Sequence, residues 1–197
     1  ADGATVFWAP LQFWFCRNPG LALPLIALQY HEVKIILEHN WNGCFSAMTG
    51  QQLWVDYIYL DTDERRRFAQ VSHEYLIDQV QDQAITAGAN SNDLNFNHPV
   101  KELVLCVNAT DGTLSTIGTA GSAATYQLKL NGHDRFAARD WRYFSRTQVW
   151  QHHSGPGGLN ASDNKRGRLS DGIGVYSFAL KPEEHQPSGT CNFSRID

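Results

Sequence analysis

The residues of this chain that could do chemistry are eight histidines, four cysteines and twenty carboxylates, and their spacing limits what they could do. The His31-Glu32 and His73-Glu74 pairs do not extend to the His-Glu-x-x-His pattern of a helical zinc site. His152 and His153 are adjacent in a polar segment, and neighbouring side chains of an extended backbone point to opposite faces. The histidine pattern therefore predicts no metal site.

Carboxylates gather at Asp56, Asp61, Asp63 and Glu64. A calcium loop needs oxygen donors at alternating positions, a Gly turn and a closing Glu, whereas here a helical pattern begins. Acidic side chains at a helix N-terminus each stabilise it by about 0.3–1 kcal/mol. We therefore interpret this cluster as helix-stabilising charge.

A second polar group near the C-terminus, Lys181, Glu183, Glu184 and His185, could suggest acid–base chemistry. Because it lies in a segment with Pro182 and Gly189, we interpret it as a turn between two strands. The chain also has no Gly-x-Ser-x-Gly elbow and no phosphate-binding Gly-x-x-x-x-Gly-Lys. Catalytic residues, cofactor-binding residues and cofactors are not predicted, and the chain is not expected to be an enzyme.

The cysteines and the asparagines of glycosylation triplets are the remaining residues that could do chemistry. Cys16, Cys44, Cys106 and Cys191 stand far apart without a Cys-x-x-Cys pair, which favours isolated buried thiols over a metal framework or disulfides. Three Asn-x-Ser/Thr triplets are candidate N-glycosylation sites, at Asn160, Asn108 and Asn192. Of these, Asn160 in a Gly-rich segment is the best acceptor and Asn192, beside strand-like residues, the poorest.

Composition limits the class of protein. Of 197 residues 42% are hydrophobic and 12% aromatic, which is ample for a buried core. The net charge of −4 argues against a protein that grips phosphate backbones, because such binding needs excess Lys and Arg. The longest apolar stretch, at residues 21–28, is broken by Pro24 and is too short to span a bilayer.

The secondary-structure elements predicted to position these residues are mainly strands. Apolar residues predict a strand over 6–16 that is covered on both faces, and "LWVDYIYL" predicts another over residues 53–60. At Asp61 the period changes: Asp61 and Glu64 form a capping-box pattern, and Phe68, Val71 and Tyr75 follow at helical spacing. This helix is either a connector between two β domains or a lid across one end of a barrel.

After Gln79 the pattern returns to strands. Strands are predicted within residues 92–108, within 126–139 around an Asn131-Gly132 turn, and over 174–180. Many short strands, long polar loops and one helix predict an all-β antiparallel sandwich, with the jelly roll as the leading architecture.

Five blocks of sequence carry a family resemblance. The blocks are "NPGLALPLIALQYHEVKI", "WVDYIYLDTDERRRFAQVSHEYLIDQVQ", "LNFNHPVKEL", "LNGHDRFAAR" and "YSFALKPEEHQPSGTCNFSRID". They resemble the major capsid protein of large icosahedral nucleocytoplasmic double-stranded DNA viruses, of the phycodnavirus and iridovirus type, and are most similar to capsid proteins of algal viruses.

The resemblance implies a double jelly roll, two antiparallel β domains joined by a short helical linker. On that expectation residues 1–60 are the C-terminal part of the first jelly roll, 61–78 the helical linker, and 79–197 the N-terminal and central part of the second. Strands that the family has before and after these blocks are missing here. We therefore expect the chain to be incomplete at both ends.

The resemblance also implies a structural function. We expect a subunit that self-assembles into pseudo-hexagonal trimeric capsomers, which tile the outer shell. Its expected partners are its own homotrimer, neighbouring capsomers, and minor capsid and penton proteins, without direct nucleic acid binding and with an internal viral membrane nearby. It would be located in the virion after assembly in the host cytoplasm. The alternative is a cellular jelly-roll protein that binds carbohydrate or, like a cupin, a metal.

Overall fold

The computed structural model describes residues 8–38, 51–86, 90–106, 125–155 and 173–196. The chain divides into two compact units, Ala1–Gln79 and Val80–Asp197, which we call unit 1 and unit 2. In the described ranges eight short strands outnumber two α-helices, in agreement with the predicted all-β class. Neither of these helices is long and apolar enough to cross a membrane.

Unit 1 has little hydrogen-bonded regular structure in its described residues. Short 3-10 turns cover Trp14–Cys16 and Pro19–Leu21. The predictions of strands over 6–16 and 53–60 are wrong for their described residues, none of which lies in a hydrogen-bonded ladder. A strand is stabilised by bonds to a neighbouring backbone, so β propensity alone does not produce one.

Helix α1 (Thr62–Gln70) begins as the sequence predicts. The Asp61 side chain caps the first-turn amides, and the Glu64 carboxylate accepts from the Asp61 amide at 3.1 Å. This reciprocal capping box satisfies two backbone donors that a helix otherwise leaves unpaired. The interpretation of Asp61 and Glu64 as helix-stabilising residues is confirmed.

The helix ends earlier than the predicted helical linker over 61–78. Val71 already has extended backbone angles (φ −91°, ψ 141°), and residues 71–79 are not helical. The carbonyl of Phe68, which a further helical turn would use, instead accepts from Nε2 of His73 at 2.8 Å. The helical part of that segment is therefore Thr62–Gln70 alone, and the domain boundaries around it stay predictions.

The eight strands found in the described ranges all lie in unit 2 and form four antiparallel pairs. The pairing is nested: the first strand pairs with the last, the second with the seventh, the third with the sixth, and the fourth with the fifth. The longest pair runs from Glu102 opposite Ser177 to Cys106 opposite Ile173. The strands are β1 (Pro99–Val100), β2 (Glu102–Cys106), β3 (Thr125–Tyr126), β4 (Lys129–Leu130), β5 (His133–Asp134), β6 (Arg139–Asp140), β7 (Ile173–Ser177) and β8 (Cys191–Asn192).

The innermost pair, β4–β5, is set by its turn. Leu130 lies opposite His133, so Asn131 and Gly132 form a two-residue loop. Both have positive φ, 52° and 74°, as the hairpin turn favoured by strand twist requires. The predicted Asn131-Gly132 turn is confirmed.

The core of unit 2 is aromatic. Trp141, Phe144 and Phe193 are buried, together with aliphatic residues on β2 and β7. Ring pairs link them, with Tyr126 and Trp141 centroids 5.1 Å apart and those of Phe178 and Phe193 5.5 Å apart. These contacts fix the positions of the strands and of the loop between β7 and β8.

A second helix, which the sequence did not predict, covers β7. A π-helical turn at Tyr143–Thr147 leads into α2 (Gln148–His152). Gln148 is buried. Its side-chain Nε2 donates to the Tyr143 hydroxyl at 2.9 Å, and its side-chain Oε1 accepts from the Ser177 backbone amide at 3.2 Å. A helix this short depends on tertiary packing, which explains why its sequence gives no clear helical signal.

Candidate functional site

The histidine–glutamate pairs of unit 1 engage in local contacts. The His73 ring stacks on Phe68 with centroids 5.1 Å apart, and Glu32 pairs with Lys34 at 2.9 Å on the surface. In the five described ranges, no three His, Cys, Asp or Glu side chains are grouped so that they could hold a metal ion.

Of the three candidate glycosylation sites, Asn108 and Asn160 lie outside the described residues. Asn192 is exposed in β8, and its Oδ1 accepts from the Ser194 amide at 3.1 Å. The Ser194 hydroxyl accepts from the His98 amide at 2.8 Å, and Phe193 between them is buried. The Asn192 triplet is thus part of the folded edge of unit 2, and all three sites stay predictions.

His153 is the centre of a polar cluster among the described residues of unit 2. It follows α2, and its amide donates to the Val149 carbonyl at 2.9 Å, which fixes the ring position. Its Nε2 lies 2.9 Å from Oε2 of Glu102 on β2, and its Nδ1 lies 3.0 Å from Oε1 of Glu183. One imidazole therefore joins three segments of unit 2.

Ser154 completes this cluster. Its hydroxyl and its amide donate to Oε2 of Glu183 at 2.7 and 3.2 Å. The hydroxyl bond from Ser154, with help from His153, holds the pKa of the Glu183 carboxyl below its ordinary value against the opposing effect of partial burial. Glu183 is thus held in its ionised form.

The adjacent His152 makes a separate contact, since its Nδ1 lies 3.1 Å from the Leu180 carbonyl. The sequence placed His152 and His153 in an extended polar segment, whereas His152 is the last residue of α2. The two rings contact different partners, and the prediction that they do not share a metal stays a prediction.

Sequence reasoning missed the His153 cluster. Glu183 was a candidate only through its polar neighbours, and Glu102 was not a candidate at all. Their partner His153 lies 30 residues before Glu183 and 51 residues after Glu102. No local motif spans such distances, so only the nested strand pairing brings these residues together.

The cysteines of the described ranges are free thiols, but the prediction that they are buried is wrong for two of them. Cys16 and Cys106 are exposed, and Cys191 is partly buried. Burial raises the pKa of the Cys191 thiol, which keeps it neutral at neutral pH. Cys44 lies outside the described residues.

Unit 1 exposes many large apolar side chains, which we call the exposed apolar residues of unit 1. No described residue of this unit is buried. Over residues 53–59 both alternating sets of side chains are exposed, with Tyr59 at 93%. Single exposed apolar residues are ordinary, but such a concentration is typical of surfaces covered by other protein. Prominent members are Tyr30, Ile36, Trp54, Tyr57, Ile58 and Tyr59.

Unit 1 also has an open groove of about 460 Å³. Apolar side chains dominate its lining, and the ring of its one histidine, His73, is already bonded to the Phe68 carbonyl. This lining suits contact with apolar groups. It includes Trp14, Leu28, Phe68, Tyr75 and Ile77.

Two family models match the chain. Residues 64–197 match the family described as large eukaryotic DNA virus major capsid protein. Residues 1–61 match the N-terminal region described for major capsid proteins. The two matches meet at the start of α1.

Curated relatives agree with these matches. The chain is 52% identical over 217 residues to a major capsid protein of Pyramimonas orientalis virus, covering 100% of this chain and 54% of that protein. It is 42% identical over 242 residues to the major capsid protein of Paramecium bursaria Chlorella virus 1, covering 97% of this chain and 52% of that protein. The chain thus spans about half the length of these relatives.

A solved structure agrees as well. A quasi-atomic description of the PBCV-1 virus capsid contains a chain that superposes with a TM-score of 0.67 at 38% identity. The match covers 97% of this chain and 55% of that one. The likeness extends over both units.

Proposed function

This chain belongs to the family of large eukaryotic DNA virus major capsid proteins, and we propose that it forms part of a structural subunit of an icosahedral viral shell. The observation that carries this proposal is the similarity of the whole chain, at 52% identity, to a named major capsid protein. The role is structural rather than catalytic, so its chemistry is that of surfaces and interfaces.

The fold proposed for the complete subunit is a double jelly roll. The nested pairing of β1–β8 to β4–β5 supports it, because winding one long antiparallel hairpin into a barrel gives this order. Residues 79–197 would belong to the second jelly roll, 61–78 to the linker and 1–60 to the first. These boundaries are part of the proposal.

The exposed apolar residues of unit 1 support a longer polypeptide. A segment such as residues 53–59, exposed on both faces, resembles a strand that in its complete protein is covered on both sides. The relatives have about as much sequence again as the chain spans. We therefore propose that further strands of the same polypeptide pair with and cover this part of unit 1.

The proposed assembly is a homotrimer that forms a pseudo-hexagonal capsomer. Cyclic symmetry would repeat one heterologous contact around the trimer, and permanent interfaces of this kind bury more than about 2,000 Å². Neighbouring capsomers, minor capsid proteins and penton proteins are the further proposed partners. The proposed location is the virion shell, near an internal membrane, after assembly in the host cytoplasm.

Size-exclusion chromatography with light scattering on the full-length protein tests this function. A trimer that does not bind a glycan array or retain metal is the expected result. A monomer that binds sugar in the micromolar range would instead support the alternative, a cellular jelly-roll binding protein.

A further inference from the structure

His153 is one of the attachments of the loop between β7 and β8, residues 178–190, to the rest of unit 2. Both ring nitrogens of His153 contact carboxylate oxygens, Glu102 at 2.9 Å and Glu183 at 3.0 Å. A neutral imidazole has one N–H donor and one acceptor, and an ionised carboxylate only accepts. Both contacts are hydrogen bonds only when His153 carries two ring protons. Its side chain is 17% exposed, so water replaces these partners poorly.

We propose that His153 is a pH-sensitive latch that holds the middle of the 178–190 loop against β2 and the end of α2. When the ring loses one proton, one of its nitrogens presents a lone pair to a carboxylate, and an attractive contact becomes repulsive. Loss of that proton removes one of the two donors, so the latch opens as the pH rises.

The groups around the ring support this direction of the effect. Glu102 on β2 and Glu183 in the loop are the two carboxylates that contact the ring. The other oxygen of Glu183, Oε2, accepts two hydrogen bonds from Ser154. Because those bonds favour the ionised carboxylate, the proton between ring and carboxylate belongs on the ring at acidic pH.

The other charged groups nearby are engaged elsewhere. Lys181 pairs with Glu184 at 3.1 Å within the loop, and Lys101 Nζ donates to the Glu184 carbonyl at 3.3 Å. His152 bonds the Leu180 carbonyl, an interaction that one ring N–H provides in the neutral form. The remaining titratable group of the loop is His185, which lies two residues beyond Glu183.

Besides the Ser154 bonds to Glu183, which persist in either state of the ring, the start of the loop has an attachment that does not titrate. The Lys101 carbonyl accepts from the amides of Phe178 and Ala179 at 2.8 and 3.1 Å. Further along, the Lys181 amide donates to the Ser188 hydroxyl at 2.8 Å and the Glu184 amide to the Lys181 carbonyl at 3.3 Å. Opening the latch should loosen the middle of the loop and thereby weaken its internal bonds from the Lys181 and Glu184 amides, while the bonds of Phe178 and Ala179 to the Lys101 carbonyl stay protected.

Amide hydrogen exchange on the full-length protein at about pH 5.5 and about pH 8 tests this proposal, with rates corrected for intrinsic exchange. We expect exchange at Lys181 and Glu184 to be roughly three- to tenfold faster at the higher pH, because a partly exposed charge-assisted bond is lost. Exchange at Phe178 and Ala179 should not change. Equal corrected rates at Lys181 and Glu184 at both pH values would overturn the proposal.

Substitutions test whether the His153 ring causes the pH dependence of amide exchange. His153→Gln keeps a polar side chain without the charge change and should remove the pH dependence, whereas the matched control His152→Gln should retain it. Glu102→Gln, which removes one carboxylate, should reduce the pH dependence and provides the test if the His153 variant does not fold. Persistence of the full pH effect in either the His153 or the Glu102 variant would contradict the latch.

Discussion

The indole of Trp141 lies directly against the backbone of Gly174 in β7. A Cβ atom built at Gly174 would come within 2.8 Å of Cζ2 of Trp141, closer than real Cβ contacts. Trp141 is 2% exposed and packs on Tyr126 and Phe144, so it has no room to move aside. The glycine is thus required by close packing of a ring against a strand.

Gly174→Ala should lower the free energy of unfolding by about 1–3 kcal/mol, because overpacking forces side chains out of their rotamers. Gly155→Ala is the matched control, since no atom lies within 4 Å of a Cβ at that position, and it should be nearly neutral. Denaturant unfolding of the full-length protein measures both. Equal stability of the two variants would mean that the ring does not pack on β7 as described.

Phe193→Ala should cost about 3–5 kcal/mol by leaving a cavity between aromatic rings. Phe193 is 8% exposed and contacts Phe178 and Phe96, with centroids 5.5 and 6.5 Å away. Trp150→Ala removes a larger ring that is 78% exposed, and should change stability by less than about 0.5 kcal/mol. A larger loss of stability in the Trp150 variant than in the Phe193 variant would show that Phe193 does not belong to the core.

Asp61→Ala should destabilise α1 by about 1 kcal/mol through loss of the N-cap. The neighbouring Asp63 lies in the first turn, where its charge alone is worth about 0.3–1 kcal/mol, so Asp63→Ala should have the smaller effect. Amide exchange of the first turn of α1 reports both changes. A larger effect at Asp63 would show that charge, and not capping, begins the helix.

Ser154→Ala should raise the pKa of the Glu183 carboxyl toward its ordinary value of 4.5, because the Ser154 hydroxyl is the main cause of the depression. A depressed folded-state pKa adds stability above the unfolded value and loses it as the pH falls through the folded value. The variant should therefore gain less stability between acid and neutral pH. Carboxyl NMR titration measures the shift, with Ser188→Ala as a control that leaves Glu183 unchanged.

The features that the sequence predicts correctly are local ones. The Asp61–Glu64 capping box and the Asn131-Gly132 turn depend on a few consecutive residues whose backbone requirements are specific. Strands also form within residues 92–108, as β1 and β2, and over 174–177 of the predicted 174–180, as part of β7, whereas residues 178–180 lie in the following loop. In these strands the alternating pattern of the side chains agrees with the antiparallel pairing that the structure shows.

The features that the sequence did not predict depend on distant partners. Residues 53–60 have strong β propensity but no ladder partner among the described residues. Helix α2 forms because Gln148 and Val149 pack against β7, and the His153 cluster joins residues from three segments. Tertiary contacts determine whether these elements and this cluster form, and the periodicity of the sequence does not reveal which distant residues make those contacts.

Mass spectrometry of purified virions is the decisive measurement of the proposed shell role, since it identifies the shell protein and its intact mass together. A capsid subunit should yield peptides of this chain from the most abundant virion protein, with a mass roughly twice 22.1 kDa, as the coverage of its relatives implies. Virions that lack these peptides, or contain them only in trace amounts, would contradict the proposed role. An abundant virion protein of only 22.1 kDa would contradict the proposed double jelly roll.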